Sequence, residues 1–276
     1  MGNLNYSSKL AAKLQFHGRL LGDSMQMLKK LAIWVFFSGS VFVFCFGTLD
    51  LRGGKNLLRI TENSALMATA SGKTIRSERM VEAKNFDYLI GKIKGLSEKQ
   101  LKAHFGLYQG YVKKTNEIEQ KLATADRSTA NYSYGEVSEL MRRHAVAYNG
   151  AYLHQYYFEN LTGEASQPSG ELKQALEKHF GSMEKWVADV KAGLTSAPGW
   201  VLLTRSRRDG SLRNVLLEEH HRGLIVDQDI LLALDGWEHA YMIDYGTAKP
   251  EYSNALLAAI DWQVAARRLE QSIKGR

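Results

Sequence analysis

The sequence predicts an α+β protein: a long helical hairpin, then a C-terminal half in which helices flank a three-stranded antiparallel sheet, all preceded by a hydrophobic signal or anchor helix. Three observations carry this expectation. Apolar residues recur at three- and four-residue spacing between Lys84 and Leu161. Three short runs rich in Leu and Val follow, the first two separated by Asp209-Gly210. Helical periodicity then returns from Lys249 to the end of the chain.

The first element is the run "LAIWVFFSGSVFVFCFG", Leu31 to Gly47, uncharged and preceded by Lys29-Lys30. As a helix it spans roughly 25 Å, and extension through Thr48 and Leu49 brings it to the roughly 30 Å of a hydrocarbon core. It reads as a cleaved signal peptide or an uncleaved anchor, with a buried core helix as the competing reading. The cations Lys9, Lys13, Arg19, Lys29 and Lys30 on its leading side orient the body of the protein out of the cytoplasm, either exported or membrane-anchored. A start at Met27 would give this segment ordinary signal-peptide proportions. Residues 50–83 are polar, without strong pattern, and read as a linker.

The segment "LSEKQLKAHFGLYQGYVKKTNEIEQKLATA" opens with Ser97 and Gln100 three residues later, a capping-box arrangement. Leu101, His104, Phe105, Tyr108, Tyr111, Val112 and Ile118 share its inner face. A second helix runs from about Ser133 to Leu161, with Tyr148, Tyr152, His154, Tyr157 and Phe158 on an aromatic face. A short polar loop joins the two, so residues 84–165 form a helical-hairpin domain. In the α/β domain, residues 166–276, two shorter helices break at Gly181. The strands "GWVLLTR", "SLRNVLLEE" and "DILLALDGWEH" come next, and "KPEYSNALLAAIDWQVAARRLEQSI" ends in helix. Asp209-Gly210 is a strong hairpin signal.

Composition narrows the function classes. The net charge of +7 is concentrated in residues 1–60, which carry eight Lys or Arg against Asp23 and Asp50. The remainder is near neutral, so a nucleic-acid surface is not indicated. The single cysteine, Cys45, excludes an internal disulfide framework and a thiolate cluster. Phe44 before it is large where lipid attachment requires a small residue, so Cys45 reads as part of the apolar run.

A lone histidine on an apolar helix face, such as His104 or His154, is usually a satisfied core residue. Asp235 changes that reading. It lies among Leu231, Leu232, Leu234 and Trp237, and an unpaired buried carboxylate costs several kcal/mol. A metal ion compensates it efficiently. With His239 four residues on, three imidazoles and one carboxylate suit iron, manganese or zinc.

The stretch "DGWEHAYMIDYGTAKPEY" resembles the D-x-W-E-H-A-Y signature of the iron/manganese superoxide dismutases. "HFGLYQGYVKKTN", "LHQYYF", "FGSMEKW" and "PGWVLL" resemble further family segments in the same order, over about Lys84 to Leu269. The resemblance implies His104, His154, Asp235 and His239 as ligands of one iron or manganese ion per subunit, with solvent in a fifth position, and dismutation of superoxide as the activity. It implies Tyr111 as a gateway tyrosine and Trp237 as a wall of the site. Tyr111 follows His104 by seven residues, one fewer than the family spacing, which predicts a straight helix where relatives carry a bulge. An ordinary core tyrosine is the competing reading. Gly150 stands at the helix position of the family's outer-sphere glutamine. Aligning "DGSLRNVLLEEHHRG" with the sheet segment puts His220 at the alternative position, hydrogen-bonded to the fifth-site solvent, with His221 or a solvated loop histidine as rival readings. Glu238 of the W-E-H triplet implies a symmetric homodimer, although Tyr108 and Met242 stand where the family's interface His and Tyr belong. The other classes are a weakly active metal-binding structural protein of the same fold and a mononuclear iron oxygenase. Four protein ligands argue against the latter.

Overall fold

Two long helices dominate the structure because the apolar face anticipated in each finds the other. Helix α1, Glu98–Thr124, and helix α2, Glu136–Glu159, pack along their length through Leu101, Phe105, Tyr108 and Val112 against Ala151, Leu153, Tyr157 and Phe158. Phe105 and Phe158 meet edge to face at 4.8 Å. Each such side chain, buried, contributes about 1.5–3 kcal/mol. Helix α1 runs without a bulge, as the His104–Tyr111 spacing predicts. The computed structural model describes residues 80–196 and 198–275. The run Leu31–Gly47, Cys45, the alternative start at Met27 and the linker as far as residue 79 lie outside the described residues. Among the described residues no helix is long and apolar enough to cross a membrane. Val81, near the end of the expected linker, is held on α1 by two hydrogen bonds with the Asn116 carboxamide, 2.9 and 2.8 Å.

The capping box of α1 is only half formed. Ser97 Oγ accepts the Gln100 amide at 3.1 Å, but the reciprocal arm is missing. The Ser97 amide donates instead to Asp244 Oδ2, 2.6 Å away, which frees the Gln100 side chain for another partner.

The C-terminal half has helices α3, Gly170–Phe180, and α4, Met183–Ser196, divided at Gly181 as expected. Strands β1, Trp200–Ser206, β2, Leu212–Leu217, and β3, Gln228–Asp235, form an antiparallel sheet in the order β2-β1-β3. Gly210, with φ +73°, supplies the left-handed residue that the β1–β2 turn requires. The central strand β1 is buried throughout. Its register sets Trp200 opposite Asp235, with Leu217 on its other side.

Two expectations need correction. The third strand stops at Asp235. Trp237 N–H donates to Asp235 Oδ1 (2.8 Å), turning the chain into the 3-10 turn Glu238–Ala240 and the short helix α5, Met242–Tyr245. The C-terminal helix is two helices, α6, Lys249–Ala258, and α7, Trp262–Lys274. Asp261 caps α7 by accepting from the amides of Gln263 and Val264, which begins a new helix rather than continuing the old one. One apolar core joins the hairpin to the sheet and its flanking helices.

Candidate metal centre

Four side chains from three places in the chain converge where the hairpin meets the sheet. His104 comes from the second turn of α1 and His154 from the last turns of α2. Asp235 comes from the end of β3 and His239 from the 3-10 turn just beyond it. One donor atom from each lies within 4.8 Å of all the others. Asp235 Oδ2 is 3.2 Å from His104 Nε2, 3.3 Å from His239 Nε2 and 3.7 Å from His154 Nε2. His154 Nε2 and His239 Nε2 are 3.2 Å apart. His154 and Asp235 are fully buried, and the His239 side chain alone keeps appreciable exposure, 29%.

Hydrogen bonding fixes which atoms point inward. Gly150 O can only accept, so His154 Nδ1, 2.6 Å from it, carries the proton and Nε2 presents a bare lone pair. Asp235 spends Oδ1 on the Trp237 amide. Its Oδ2 and His104 Nε2 are close but misaligned, and neither has a hydrogen-bond partner among the described residues. Burial lowers the pKa of His104 and takes that of His154 well below its ordinary value, keeping both imidazoles neutral. Burial alone would drive Asp235 towards its neutral form; the neighbouring His239 and His104 act the other way and lower its pKa. A buried carboxylate with one unpartnered oxygen, ringed by inward-facing imidazole nitrogens, is only partly compensated by the protein's own groups. A single cation bound by all four donors supplies it, so the residues present fit iron or manganese.

Around this cluster runs a second set of side chains. Trp200 Nε1 donates to His220 Nδ1 at 2.9 Å, and His220 Nε2 lies 2.7 Å from Tyr111 Oη. An indole nitrogen only donates, so Nδ1 is the acceptor and the proton resides on Nε2, directed at Tyr111. Burial pushes His220 down to about 4, consistent with a neutral ring. Tyr111 stacks on His154 at 5.2 Å, and its ring occupies the space where a side chain at Gly150 would lie. Trp237 stacks on His239 and faces His220 at 5.6 Å. Behind the cluster, Tyr252 Oη donates to the Asp235 carbonyl at 2.7 Å.

The structure therefore gathers His104, His154, Asp235, His239, Tyr111, His220 and Trp237 into one place. It places His220 rather than His221 against Tyr111; the His221 side chain turns towards Glu219 at 3.5 Å. Glu238 is exposed. Tyr108 is turned inward, its Oη accepting the Lys84 amide at 3.0 Å, whereas Met242 is 40% exposed. Trp200 and Tyr252 were not anticipated. The signal for Trp200 was its place opposite Asp235, which depends on strand register. A cleft of about 770 Å³ opens beside the cluster, lined in part by Trp237, His239, Tyr241 and Lys249.

Residues 168–268 match the family described as iron/manganese superoxide dismutases, C-terminal domain. An iron superoxide dismutase of Cupriavidus metallidurans is 39% identical over 187 residues, covering 66% of this chain and 93% of that protein. One from Aquifex pyrophilus is 36% identical over 187 residues, 66% of this chain and 88% of the relative. A manganese superoxide dismutase of Haloferax volcanii is 33% identical over 183 residues, 65% and 89% respectively.

Proposed function

The chain belongs to the iron/manganese superoxide dismutase family, and from that premise we propose that it converts two superoxide ions and two protons into dioxygen and hydrogen peroxide at one iron or manganese ion held by His104, His154, Asp235 and His239. The observation that carries this reading is the unpartnered, buried Asp235 Oδ2 facing three imidazole nitrogens. When bound, the ion supplies one-electron chemistry, accepting an electron from one superoxide and returning it to the next.

The protein's own groups do the rest. His239 is the most exposed of the four and borders the open cleft, so substrate approaches from that side. Lys249, partly buried there, places a cation near the path of an anionic substrate; burial lowers its pKa while Asp235 and Glu238 act to raise it. Trp237 and Tyr111 wall the site against bulk water. The second superoxide requires protons as well as an electron. His220 donates to Tyr111 through Nε2, so the phenol need not spend its own proton on that bond. Tyr111 thereby holds a proton beside the site at its Oη, and Trp200 keeps His220 in the tautomer that allows this.

The exposed Glu238 and the resemblance support a symmetric dimer. The apolar run Leu31–Gly47 after Lys29-Lys30 supports export or membrane anchoring, with the catalytic body outside the cytoplasm. The activity is tested by reconstituting the purified protein with iron or manganese and following superoxide decay. Catalytic decay dependent on the bound metal is expected; a metallated protein that leaves superoxide to its spontaneous rate refutes the reading.

A further inference from the structure

Gln100 lies one helical turn before His104 on the buried face of α1 and is 1% exposed. Because Asp244 has taken the Ser97 amide, the Gln100 carboxamide does not fold back on its own helix. It crosses to the segment after β3. There Nε2 donates to the His239 carbonyl at 2.7 Å, and Oε1 accepts the Ile243 amide at 3.1 Å.

Those two backbone groups are four residues apart, the pair that a continuous α-helix would join directly. The helix is broken between them. Tyr241, at φ −145° and ψ −17°, separates the 3-10 turn Glu238–Ala240 from α5. The carboxamide therefore stands in for the missing rung, one donor and one acceptor replacing a lost acceptor and donor. Both replaced groups belong to the segment that carries a ligand. The same helix supplies His104, so one rigid element sets two ligands at once, His104 by its own side chain and His239 through the backbone of its peptide.

We propose that Gln100 is a positioning residue for the metal centre: by bridging His239 O and Ile243 N it fixes where the His239 imidazole stands relative to His104. The proposal rests on the four-ligand reading given above. A carboxamide of this length is the side chain that meets both demands. Glutamate has no donor at neutral pH and sets a carboxylate oxygen against the His239 carbonyl, and leucine leaves both backbone groups unpaired.

The test uses the full chain, reconstituted with manganese or iron, as wild type, Gln100→Glu, Gln100→Leu and Trp186→Phe. The last removes a part-buried hydrogen bond from Trp186 Nε1 to Asn214 Oδ1, 3.2 Å, outside the metal centre. The readouts are the rate of metal loss to excess chelator, the electron paramagnetic resonance and visible spectra of the metallated protein, and the melting temperature. Gln100→Glu is expected to lose metal about 10–100-fold faster and to show an altered spectrum. Trp186→Phe is expected to melt lower with the parental spectrum and release rate. A Gln100→Glu protein with parental spectrum and release rate overturns the proposal, whatever its melting temperature, because Gln100 is then only a packing residue. So does an equal spectral change in Trp186→Phe. If Gln100→Leu does not accumulate, the decision rests on Gln100→Glu, whose size is unchanged. A wild-type chain that takes up no metal defeats the site itself and the Gln100 proposal with it, an outcome distinct from a variant that matches a metallated wild type.

Discussion

Replacing Gly150 by alanine adds one methyl group at the crossing of α1 and α2, and the structure says where it goes. A Cβ there would stand 2.6, 2.8 and 2.9 Å from Cδ1, Cε1 and Cγ of Tyr111. Carbon atoms in ordinary contact are about 3.5–4.0 Å apart, so the ring must withdraw by roughly 1 Å. The ring carries the hydroxyl that lies 2.7 Å from His220 Nε2. A withdrawal of that size takes the pair to the limit of hydrogen bonding, roughly 3.5 Å. Two terms compete in stability. Alanine gains about 1 kcal/mol over glycine in a helix interior, and overpacking costs about 1–3 kcal/mol. The net expectation is a loss of about 0–2 kcal/mol, a few degrees in Tm at this chain length. Activity responds differently, because a net hydrogen-bond contribution of about 1.4 kcal/mol corresponds to tenfold in rate. Steady-state superoxide decay at saturating substrate should therefore show kcat reduced about tenfold or more, with metal content unchanged. A Gly150→Ala enzyme with wild-type kcat and an unmoved Tyr111 in its crystal structure would refute the reasoning.

Trp200→Phe removes the indole N–H that donates to His220 Nδ1. The variant should lose about 1–3 kcal/mol, and nitrogen chemical shifts of His220 should report both tautomers; a single Nε2–H tautomer counts against the relay. Asp235→Asn should abolish metal retention, because it removes the carboxylate donor of the cluster. Metal analysis after reconstitution and dialysis checks this, and a variant that retains the metal as wild type does contradicts it. The carboxylate of Glu159 is opposed by burial, yet hydrogen bonds from Lys84 and Arg268 hold its pKa below the usual value. A depressed folded-state pKa adds stability that is complete above the unfolded value of about 4.3 and disappears as pH falls through the folded one. Glu159→Gln should therefore be about 1 kcal/mol less stable at neutral pH and lose less on acidification below about pH 5. Parallel stability curves for metal-free wild type and variant would show that Glu159 does not carry this term.

The hairpin and the sheet were legible because their signals are local. Three- and four-residue periodicity around His104 and His154, and the Asp209-Gly210 turn, need no knowledge of distant partners. The four donors were legible for a related reason: Asp235 among leucines is a charge that has to be compensated, and the D-x-W-E-H-A-Y segment places His239 beside it. Bonds that cross between elements were not legible. Ser97 and Gln100 look like a closed capping box until Asp244, far along the chain, takes the Ser97 amide. Trp200 gains its role only when strand register sets it opposite Asp235 and within reach of His220. Tyr108 has the spacing of a residue beside the site, but its hydroxyl is drawn to the Lys84 backbone. The division of the last helix follows from Asp261, whose carboxylate caps a new N-terminus just where the apolar pattern suggests continuity.

The central claim is that His104, His154, Asp235 and His239 together hold one redox metal ion. Anomalous scattering from crystals of the metallated protein, recorded on either side of the iron or manganese absorption edge, tests it most directly. The account predicts one peak per chain, in contact with the inward-facing nitrogens of the three histidines and with Asp235 Oδ2. A peak elsewhere, or none at this position in protein shown to carry the metal, would contradict it.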